Sequence, residues 1–264
     1  LTPGVNVVDI CLPNYLHFEV AQAAFAAGCH VLCETPVALT AAETSKLESI
    51  AFENNLRFYP GFCHRLNPGI VFAKELLEND DLGMIRMIRA RFSANTNLHK
   101  DHWVNEPDIS GGGAARYLGQ HGLDMFRYLA GEISSCYGIS TSFSPELTVE
   151  DSAVFCVQSS GGTLGSIEVS WSCPGGRNIV EIYGSAGVCI VDYDTEQVRF
   201  KTADMVVWEY RDMQGPDMFH RQILHFADVV RGIQSPIAGP ADAVRANEIT
   251  ELCFPQKLSQ KCLG

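Results

Sequence analysis

The sequence predicts an α/β segment followed by an α+β domain with an open, mostly antiparallel sheet and flanking helices. In the first sixty residues, short apolar runs alternate with helical patterns, which is typical of β-α-β units around a parallel sheet. From about Ile133 onward, apolar and polar residues alternate one by one, as in strands with one buried face. We therefore expect two domains, residues 1–66 and residues 67–264.

In the first segment, apolar runs of strand length are separated by helix start and stop signals. Thr40 and Glu43 have the spacing of a capping box, and Asn67-Pro68 combines a cap with a first-turn proline. Gly28 ends the first predicted helix. We predict buried-type strands at 5–11, 30–34 and 56–60, with helices over 16–27, from 40 past 51, and over 67–79.

The second segment changes pattern after Gly83. A strand over 85–94 and a polar loop over 97–110 precede a helix over 114–129. Strands follow at 153–158, 166–171, 178–183 and 188–193, with hairpins at Gly161-Gly162 and Gly184 to Gly187, and two helices over 217–231 and 241–253 end the chain. One face of such an open sheet packs on the helices, and the other face has to be covered by another part of the protein or by a partner. A second subunit is the usual solution, so we expect a homo-oligomer that forms through this sheet.

Composition excludes several partners. Lysine and arginine total 19 against 31 acidic residues, a net charge of −12, and no long basic run occurs. Nucleic acid and anionic membrane surfaces are therefore poor partners. No apolar stretch has the ~20 residues of a membrane span, and no signal-peptide pattern is present, so we expect a cytoplasmic protein.

The ten cysteines are scattered, and no pair has the CxxC spacing of a zinc or redox site. Cys29 and Cys33 come closest, with His30 between them, but they lie on a predicted strand. We interpret the cysteines as small buried apolar residues in a reducing cytoplasm and predict no metal site.

A glycine triple at 111–113 precedes the most informative helix. Tyr117, His121 and Asp124 are spaced i, i+4 and i+7, which places them on one helical face. An apolar stripe runs beside them, formed by Leu118, Gly122, Met125 and Leu129. A polar stripe next to a buried one is typical of a cleft wall, although such groups also occur simply as partners that satisfy one another.

Three motifs in order carry a family resemblance: Val8-Asp9-Ile10-Cys11-Leu12-Pro13-Asn14 with His17, then Gly28-Cys29-His30-Val31-Leu32-Cys33-Glu34-Thr35-Pro36, and then the glycine-triple helix. Together they resemble the Gfo/Idh/MocA oxidoreductases, which include inositol and sugar dehydrogenases. The resemblance implies that residues 1–66 are the carboxyl-terminal part of a Rossmann-like domain for NAD or NADP. Residues 67–264 would then form the substrate and oligomerisation domain, acting on a sugar or polyol.

The resemblance also implies roles for single residues. The cofactor would lie near Pro13, Asn14, His17, Glu34 and Arg65. His121 would be the acid/base, and the substrate would lie near His64, His102, Trp103 and Asp124. Plainer readings stay open: Asn14 as a helix cap, Arg65 as a surface ion pair, and His102 and Trp103 as ordinary loop packing.

Two departures from the family pattern bear on catalysis. Thr35 stands where the family has the lysine of Glu-Lys-Pro, and Tyr117 stands where it has an aspartate four residues before the histidine. Without the lysine the developing alkoxide loses a cation, and such a stabiliser can be worth ~10²-fold in rate. Tyr117 can donate a proton but cannot replace the charge. His121 alone can still move a proton, so we include all three among the catalytic candidates.

A third departure concerns the cofactor. The Gly-rich turn that cradles a pyrophosphate belongs to the first β-α-β unit of a Rossmann domain, and no such turn precedes Val5. The Gly111 triple is no substitute, because it lacks a preceding buried strand. We expect this chain to be a part of a longer parent and, as it stands, to bind a dinucleotide weakly or not at all.

The sequence alone leaves three candidate functions. The first is an NAD(P)-dependent sugar or polyol dehydrogenase, impaired by Thr35 and Tyr117, and the second is a non-catalytic sugar-binding or scaffold member of the same family. The third is a metal hydrolase with His99, Asp101 and His102 beside His121, whose spacing lacks helical ligand geometry.

Overall fold

The computed structural model describes residues 4–96 and 98–254 and contains two sheets. The first has three parallel strands in the order β1-β2-β3, and the second has eight in the order β11-β10-β9-β8-β4-β7-β6-β5. The strands are β1 Val7–Ile10, β2 His30–Cys33, β3 Phe58–Pro60, β4 Ile85–Ser93, β5 Ile133–Thr141, β6 Ser152–Ser159, β7 Leu164–Ser170, β8 Asn178–Gly184, β9 Gly187–Asp192, β10 Gln197–Thr202 and β11 Glu209–Asp212. The predicted fold class is confirmed.

Seven α-helices connect and cover these sheets within the described ranges. They are α1 His17–Ala26, α2 Ala41–Glu53, α3 Pro68–Glu78, α4 Pro107–Ser110, α5 Ala114–Ala130, α6 Met218–Val230 and α7 Pro240–Cys253. The Thr40–Glu43 capping box starts α2, and the Asn67 side chain caps α3. Helix starts were thus predictable where a side chain accepts hydrogen bonds from the first free backbone amides of the helix.

In the small sheet all three strands run in the same direction, so their carboxyl ends meet at one edge. Helices α1 and α2 share an apolar core with these strands. Phe226 and Val229 of α6 pack against Leu32 and Tyr59 from the other side. Strand β1 was predicted at residues 5–11 and spans Val7–Ile10; among the three strands described it lies at one edge, with Ile10 buried and Val7 exposed.

In the large sheet only the β4–β7 pair is parallel, so the expected antiparallel character is confirmed. Helix α5 packs on β4, β6 and β7. Three strands had no predicted range. Strand β5 falls where the alternation was expected to begin, at about Ile133, whereas β10 buries only Val198 and Phe200, and β11 is exposed throughout and has no apolar alternation. The prediction of a polar loop over residues 97–110 was incomplete, because this segment contains a 3-10 turn at Trp103–Asn105 and helix α4. Asn97 lies outside the described residues.

The last helix returns to the first part of the chain. Ala243 and Ala246 of α7 belong to the apolar core of the small sheet, and α7 contacts both α2 and α5. The two units are therefore joined by a helix that follows the whole large sheet in sequence. The boundary at residues 66/67 stays a prediction.

The glycine triple fits α5 against the segment before β6. A Cβ at position 113 would lie 1.9 Å from the carbonyl oxygen of Glu150, and Gly111 has φ = 75°. The Glu150 carboxylate accepts hydrogen bonds from the backbone amides of Gly113 and Ala115. A remote acidic side chain thus caps α5, where a negative charge also suits the helix dipole.

We predict that Gly122→Ala destabilises the fold by about 1–3 kcal/mol, although alanine is the better helix former. The added Cβ would lie 2.3 Å from Cγ2 of Ile167 on β7. Urea unfolding measures the change. Gly161→Ala is the control, because its nearest neighbour, Ser159 Oγ, would be 3.7 Å away. Equal stability of the two variants would contradict this packing.

Candidate active site

The candidate site lies where α5 crosses the carboxyl edge of the small sheet. Thr35 follows β2, and the 3-10 turn Cys63–Leu66 follows β3. Oγ1 of Thr35 lies 3.2 Å from Nε2 of His121 in a hydrogen bond whose donor depends on the imidazole tautomer. The His64 ring centroid lies 4.8 Å from that of His121. Three separate parts of the chain therefore meet at one imidazole.

His121 is an uncharged imidazole near neutral pH. Burial lowers its pKa to about 4, because the cation would lose its hydration. Its Nδ1 is buried and has no hydrogen-bond partner among the described residues. The ring can accept a proton, and one of its nitrogens is still free for a ligand.

His64 is held by a residue that the sequence reasoning missed. Its Nδ1 lies 3.1 Å from the hydroxyl of Tyr193, and its ring also contacts Phe92 of β4. Burial, and to a smaller extent the neighbouring His121, lowers the pKa of His64 well below its usual value. Nothing in the sequence marked Tyr193, because it follows β9, far along the chain. Cys63 was also missed, although it directly precedes His64 at a strand end.

Tyr117 links α5 to the loop after β1. Its hydroxyl donates to Oδ1 of Asn14 at 2.8 Å, and Nδ2 of Asn14 donates to the carbonyl of Ser110 at 2.7 Å. Burial raises the pKa of Tyr117. Its proton is thus engaged by a buried amide rather than by His121. The Asn14 side chain does not cap a helix; it joins the loop after β1 to Ser110 of α4 and Tyr117 of α5.

The other residues predicted near a cofactor line the same edge. His17 lies between the carbonyls of Leu12 at 2.7 Å and Pro36 at 2.8 Å, so it fixes the loops after β1 and β2. Burial outweighs these two carbonyls and lowers its pKa. Pro13 immediately precedes the 3-10 turn Asn14–Leu16. The Thr35-Pro36 peptide is cis.

Glu34 lies over a glycine. A Cβ at Gly61 would lie 2.8 Å from Oε2 of Glu34, so only glycine leaves room for this carboxyl. Burial raises the pKa of Glu34. The Glu34 carboxyl lies at the carboxyl edge of the small sheet. Burial is the larger cause of the raised pKa of the Cys63 thiol, and the nearby Glu34 raises it further.

Arg65 and Asp124 bind each other rather than facing the cleft as free groups. Nε and Nη2 of Arg65 donate to the two carboxylate oxygens of Asp124 at 2.9 and 2.5 Å. Nη2 also lies 3.0 Å from Asp242 of α7, and Nη1 donates to the carbonyl of Ile237. Burial lowers the pKa of Arg65, but the carboxylates of Asp124 and Asp242 together raise it above its usual value. The ion pair is buried, not on the surface.

His102 and Trp103 lie to one side. Nδ1 of His102 accepts from the backbone amide of Val104, and the Trp103 ring stacks near Tyr117 at 6.0 Å. Neither hydrogen-bonds to or stacks on His121 in the described structure. His99 and Asp101 pair with each other in an exposed loop, and across the described residues no candidate metal group includes them. The metal-hydrolase arrangement is therefore not assembled.

Comparison with known families shows two matches in succession. Residues 1–62 match the oxidoreductase family with an NAD-binding Rossmann fold, and residues 70–190 match the GFO/IDH/MocA C-terminal domain. Levoglucosan dehydrogenase of Pseudarthrobacter phenanthrenivorans is 29% identical in a 221-residue alignment that covers 73% of this chain and 56% of the relative. The chain thus spans little more than half of this relative's length.

Solved structures share the fold. The structure of levoglucosan dehydrogenase in complex with NADH and levoglucosan has a TM-score of 0.86 at 24% identity, over 95% of this chain and 77% of the other. Aldose-aldose oxidoreductase from Caulobacter crescentus, complexed with glycerol, has a TM-score of 0.88 at 23% identity over 96% and 77%. Separately, none of the described helices is long and apolar enough to cross a membrane.

We predict that Asp124→Asn destabilises the fold by about 3–5 kcal/mol, because it leaves the buried Arg65 without its full counter-charge. Urea unfolding measures the loss. Asp101→Asn is the matched control, since this aspartate pairs with His99 at an exposed position and should have little effect. A fully stable Asp124→Asn variant with weakened sugar binding would instead favour the substrate role.

We predict that the buried histidines His17, His64 and His121 lower the free energy of unfolding as the pH decreases from about 6.5 to about 4. The unfolded chain binds protons at these rings near pH ~6.5, whereas burial lowers their pKa in the folded chain, so their contribution to stability is lost in acid. Burial raises the pKa of Asp124, which acts in the opposite direction, so the contribution of His121 is the difference between the wild type and His121→Gln. His121 alone accounts for up to about 3 kcal/mol. Urea unfolding across this range should show a smaller slope for His121→Gln, and an unchanged slope would contradict the lowered pKa.

Proposed function

Because the chain belongs to the Gfo/Idh/MocA family of oxidoreductases, we propose that it acts with NAD or NADP on a secondary hydroxyl of a sugar or polyol. His121 takes the hydroxyl proton during oxidation and returns it during reduction. One observation carries the proposal: a neutral imidazole with an unpartnered nitrogen, in contact with Thr35, at the carboxyl edge of a parallel sheet. Ligands bind at this edge in doubly wound folds.

The cofactor fits this edge at its nicotinamide end. Glu34 and Thr35 after β2, with Asn14 and His17 after β1, would surround the ring and its ribose. When bound, the nicotinamide supplies or accepts the hydride. No Gly-rich turn joins a strand to a helix in the described part of the small sheet, so we infer that the pyrophosphate is poorly held and that this 264-residue chain binds a dinucleotide weakly.

The substrate would lie between His121 and the large sheet. His64, fixed by Tyr193, and Trp103, next to Tyr117, would border this region. His102 supports the turn that carries Trp103. Asp124 would act indirectly, by anchoring α5 through Arg65. The substrate class rests on the relatives, among which is a levoglucosan dehydrogenase.

Catalysis should be slow, because the site holds neutral groups where charge develops. Thr35 offers a hydroxyl but no cation, and the phenol of Tyr117 is engaged by Asn14. An alkoxide would therefore form next to dipoles only. The same observations favour the second candidate, a member of the family that binds a sugar without turning it over.

We also infer a homo-oligomer that uses the outer face of the large sheet. Large apolar side chains of β5 are exposed there, namely Tyr137 at 67% and Ile139 at 62%, and Phe143 in the segment after β5 is 73% exposed. Arg89 and Arg91 pair with Glu168 on neighbouring strands. A mixed apolar and ion-paired face is suited to a second copy. The nine described cysteines, all without disulfides, suit a cytoplasmic location.

We predict that His121→Ala lowers kcat by ~10²-fold or more, because the proton then has no acceptor. The assay uses a protein that includes a Gly-rich β-α unit ahead of Val5, with NAD or NADP and a panel of sugars. Thr35→Lys combined with Tyr117→Asp should raise kcat by about 10²-fold, because it supplies the missing charges. Binding of NADH, followed by fluorescence, is the control for folding. Sugar binding without turnover in both forms would favour the non-catalytic alternative.

We predict that Ile139→Asp shifts the protein to a smaller oligomer in light scattering coupled to size-exclusion chromatography, because it places a charge in the apolar contact. Phe52→Asp is the matched control, as Phe52 is 84% exposed on α2, away from this sheet. A mass that is unchanged by Ile139→Asp would exclude the outer sheet face as the interface.

A further inference from the structure

Three side chains around the candidate site have the chemistry of a metal centre. Cys63, His64 and His121 each offer one ligand atom, and these atoms lie within 4.8 Å of one another. Cys63 and His64 come from the turn after β3, whereas His121 comes from α5. A set of one thiol and two imidazoles binds Zn²⁺ in preference to Mg²⁺ or Ca²⁺, which favour oxygen ligands.

The hydrogen bonds around these rings fit metal binding. Nδ1 of His64 is engaged by Tyr193 and Nε2 of His121 by Thr35. The opposite nitrogen of each ring has no hydrogen-bond partner among the described residues, and Nδ1 of His121 is fully buried. Metal-binding histidines are usually held in this way, through an outer hydrogen bond on the nitrogen that does not bind the metal.

Distances and charge are also compatible. Tetrahedral Zn²⁺ with bonds of about 2.0–2.3 Å places its ligand atoms about 3.3–3.7 Å apart, so the cluster has to contract by about 1 Å. The carboxyl group of Glu34 lies close enough to influence the Cys63 thiol, and it adds negative charge beside a bound cation. The only arginine in the same turn, Arg65, is paired with Asp124 and Asp242.

We propose that Cys63, His64 and His121 bind one Zn²⁺ ion, with the fourth position open to water, and that bound Zn²⁺ inhibits the enzyme. On binding, a sulfur–zinc bond forms and the Cys63 proton leaves to solvent, while both imidazoles bind as neutral rings. No oxidation occurs. Binding itself is independent of the cofactor, whereas inhibition rests on the proposed function, because His121 cannot accept a proton while its lone pair holds the metal.

The first test uses Co²⁺ as a spectroscopic substitute on the 264-residue chain, under reducing conditions. We expect one equivalent to give tetrahedral Co²⁺ bands and a thiolate-to-cobalt charge-transfer band, both displaced by Zn²⁺. Cys63→Ser should remove the charge-transfer band, and His64→Gln should weaken Zn²⁺ binding at least ~10-fold against a chromophoric chelator. Cys156→Ser, at an exposed cysteine on β6, is the control and should change neither.

Two outcomes overturn the site: no charge-transfer band, or a band that persists in Cys63→Ser. If Cys63→Ser does not fold, the His64→Gln titration decides alone. The second test adds Zn²⁺ to the dehydrogenase assay, where a chelator should restore activity. A chain that binds Co²⁺ through Cys63 but shows no dehydrogenase activity would contradict the proposed function and leave the metal site standing.

A second, independent observation concerns the cysteines that join α7 to the large sheet. Sγ of Cys136 on β5 lies 2.6 Å from Sγ of Cys253, the last residue of α7. Sulfur atoms at this separation are closer than two non-bonded thiols usually come, and both residues are only partly buried. Gly138 makes the approach possible, because a Cβ there would lie 2.9 Å from Cβ of Cys253.

We infer that Cys136 and Cys253 form a disulfide when the cell becomes oxidising. With glutathione disulfide as the oxidant, the two thiols lose two protons and two electrons in total, one sulfur–sulfur bond forms, and two glutathione molecules are released. The bond joins residues 117 positions apart and fastens the helix that packs on the small sheet to the edge of the large one. It therefore restrains movement between the two units.

The test incubates the chain with glutathione disulfide and maps the peptides without reduction. We expect a Cys136–Cys253 cross-link, and an unfolding temperature higher by on the order of 10 °C that reverts with dithiothreitol. Cys136→Ser should abolish both effects, and Cys156→Ser should abolish neither. Only mixed disulfides with glutathione, or a cross-link without any rise in the unfolding temperature, would overturn the inference.

Discussion

The buried ion pair between Arg65 and Asp124 is the contact on which the site depends. Arg65 follows β3 in the small sheet, Asp124 lies on α5, and Asp242 adds a second carboxylate from α7. A buried guanidinium must keep its partners, because an unpaired charge in this position would be costly. The pair thus fixes α5 against the carboxyl edge and places His121, one turn earlier, beside Thr35.

The second constraint is the neutrality of the buried polar groups around that imidazole. Burial lowers the pKa of both His64 and His121, and it raises the pKa of Tyr117. A site of this kind can hold a proton acceptor in a ready form, but it has little charge with which to stabilise an alkoxide. The uncharged nitrogens of His64 and His121 also suit a metal ion that prefers nitrogen and sulfur ligands.

The two sheets serve different purposes. The small parallel sheet collects loop ends at one edge, where His17 and Asn14 fix the loops through buried hydrogen bonds. The large sheet supports α5 with its inner face and leaves exposed apolar side chains such as Ile139 on its outer face. Helix α7 connects both, so a cross-link at its end would act on the geometry of the whole site.

Local patterns in the sequence determined the class of fold, most helices and the spacing of Tyr117, His121 and Asp124 on one face, because hydrogen bonding within a helix or strand fixes these periods. The exposed strand β11 and the short helix α4 were not predictable, since no periodic apolar signal marks them. Only the tertiary structure paired Asp124 with Arg65 and brought Cys63 and Tyr193 to His64 and His121. Such contacts join distant parts of the chain, and which buried charge or ring meets which is decided when the sheets and α5 pack together.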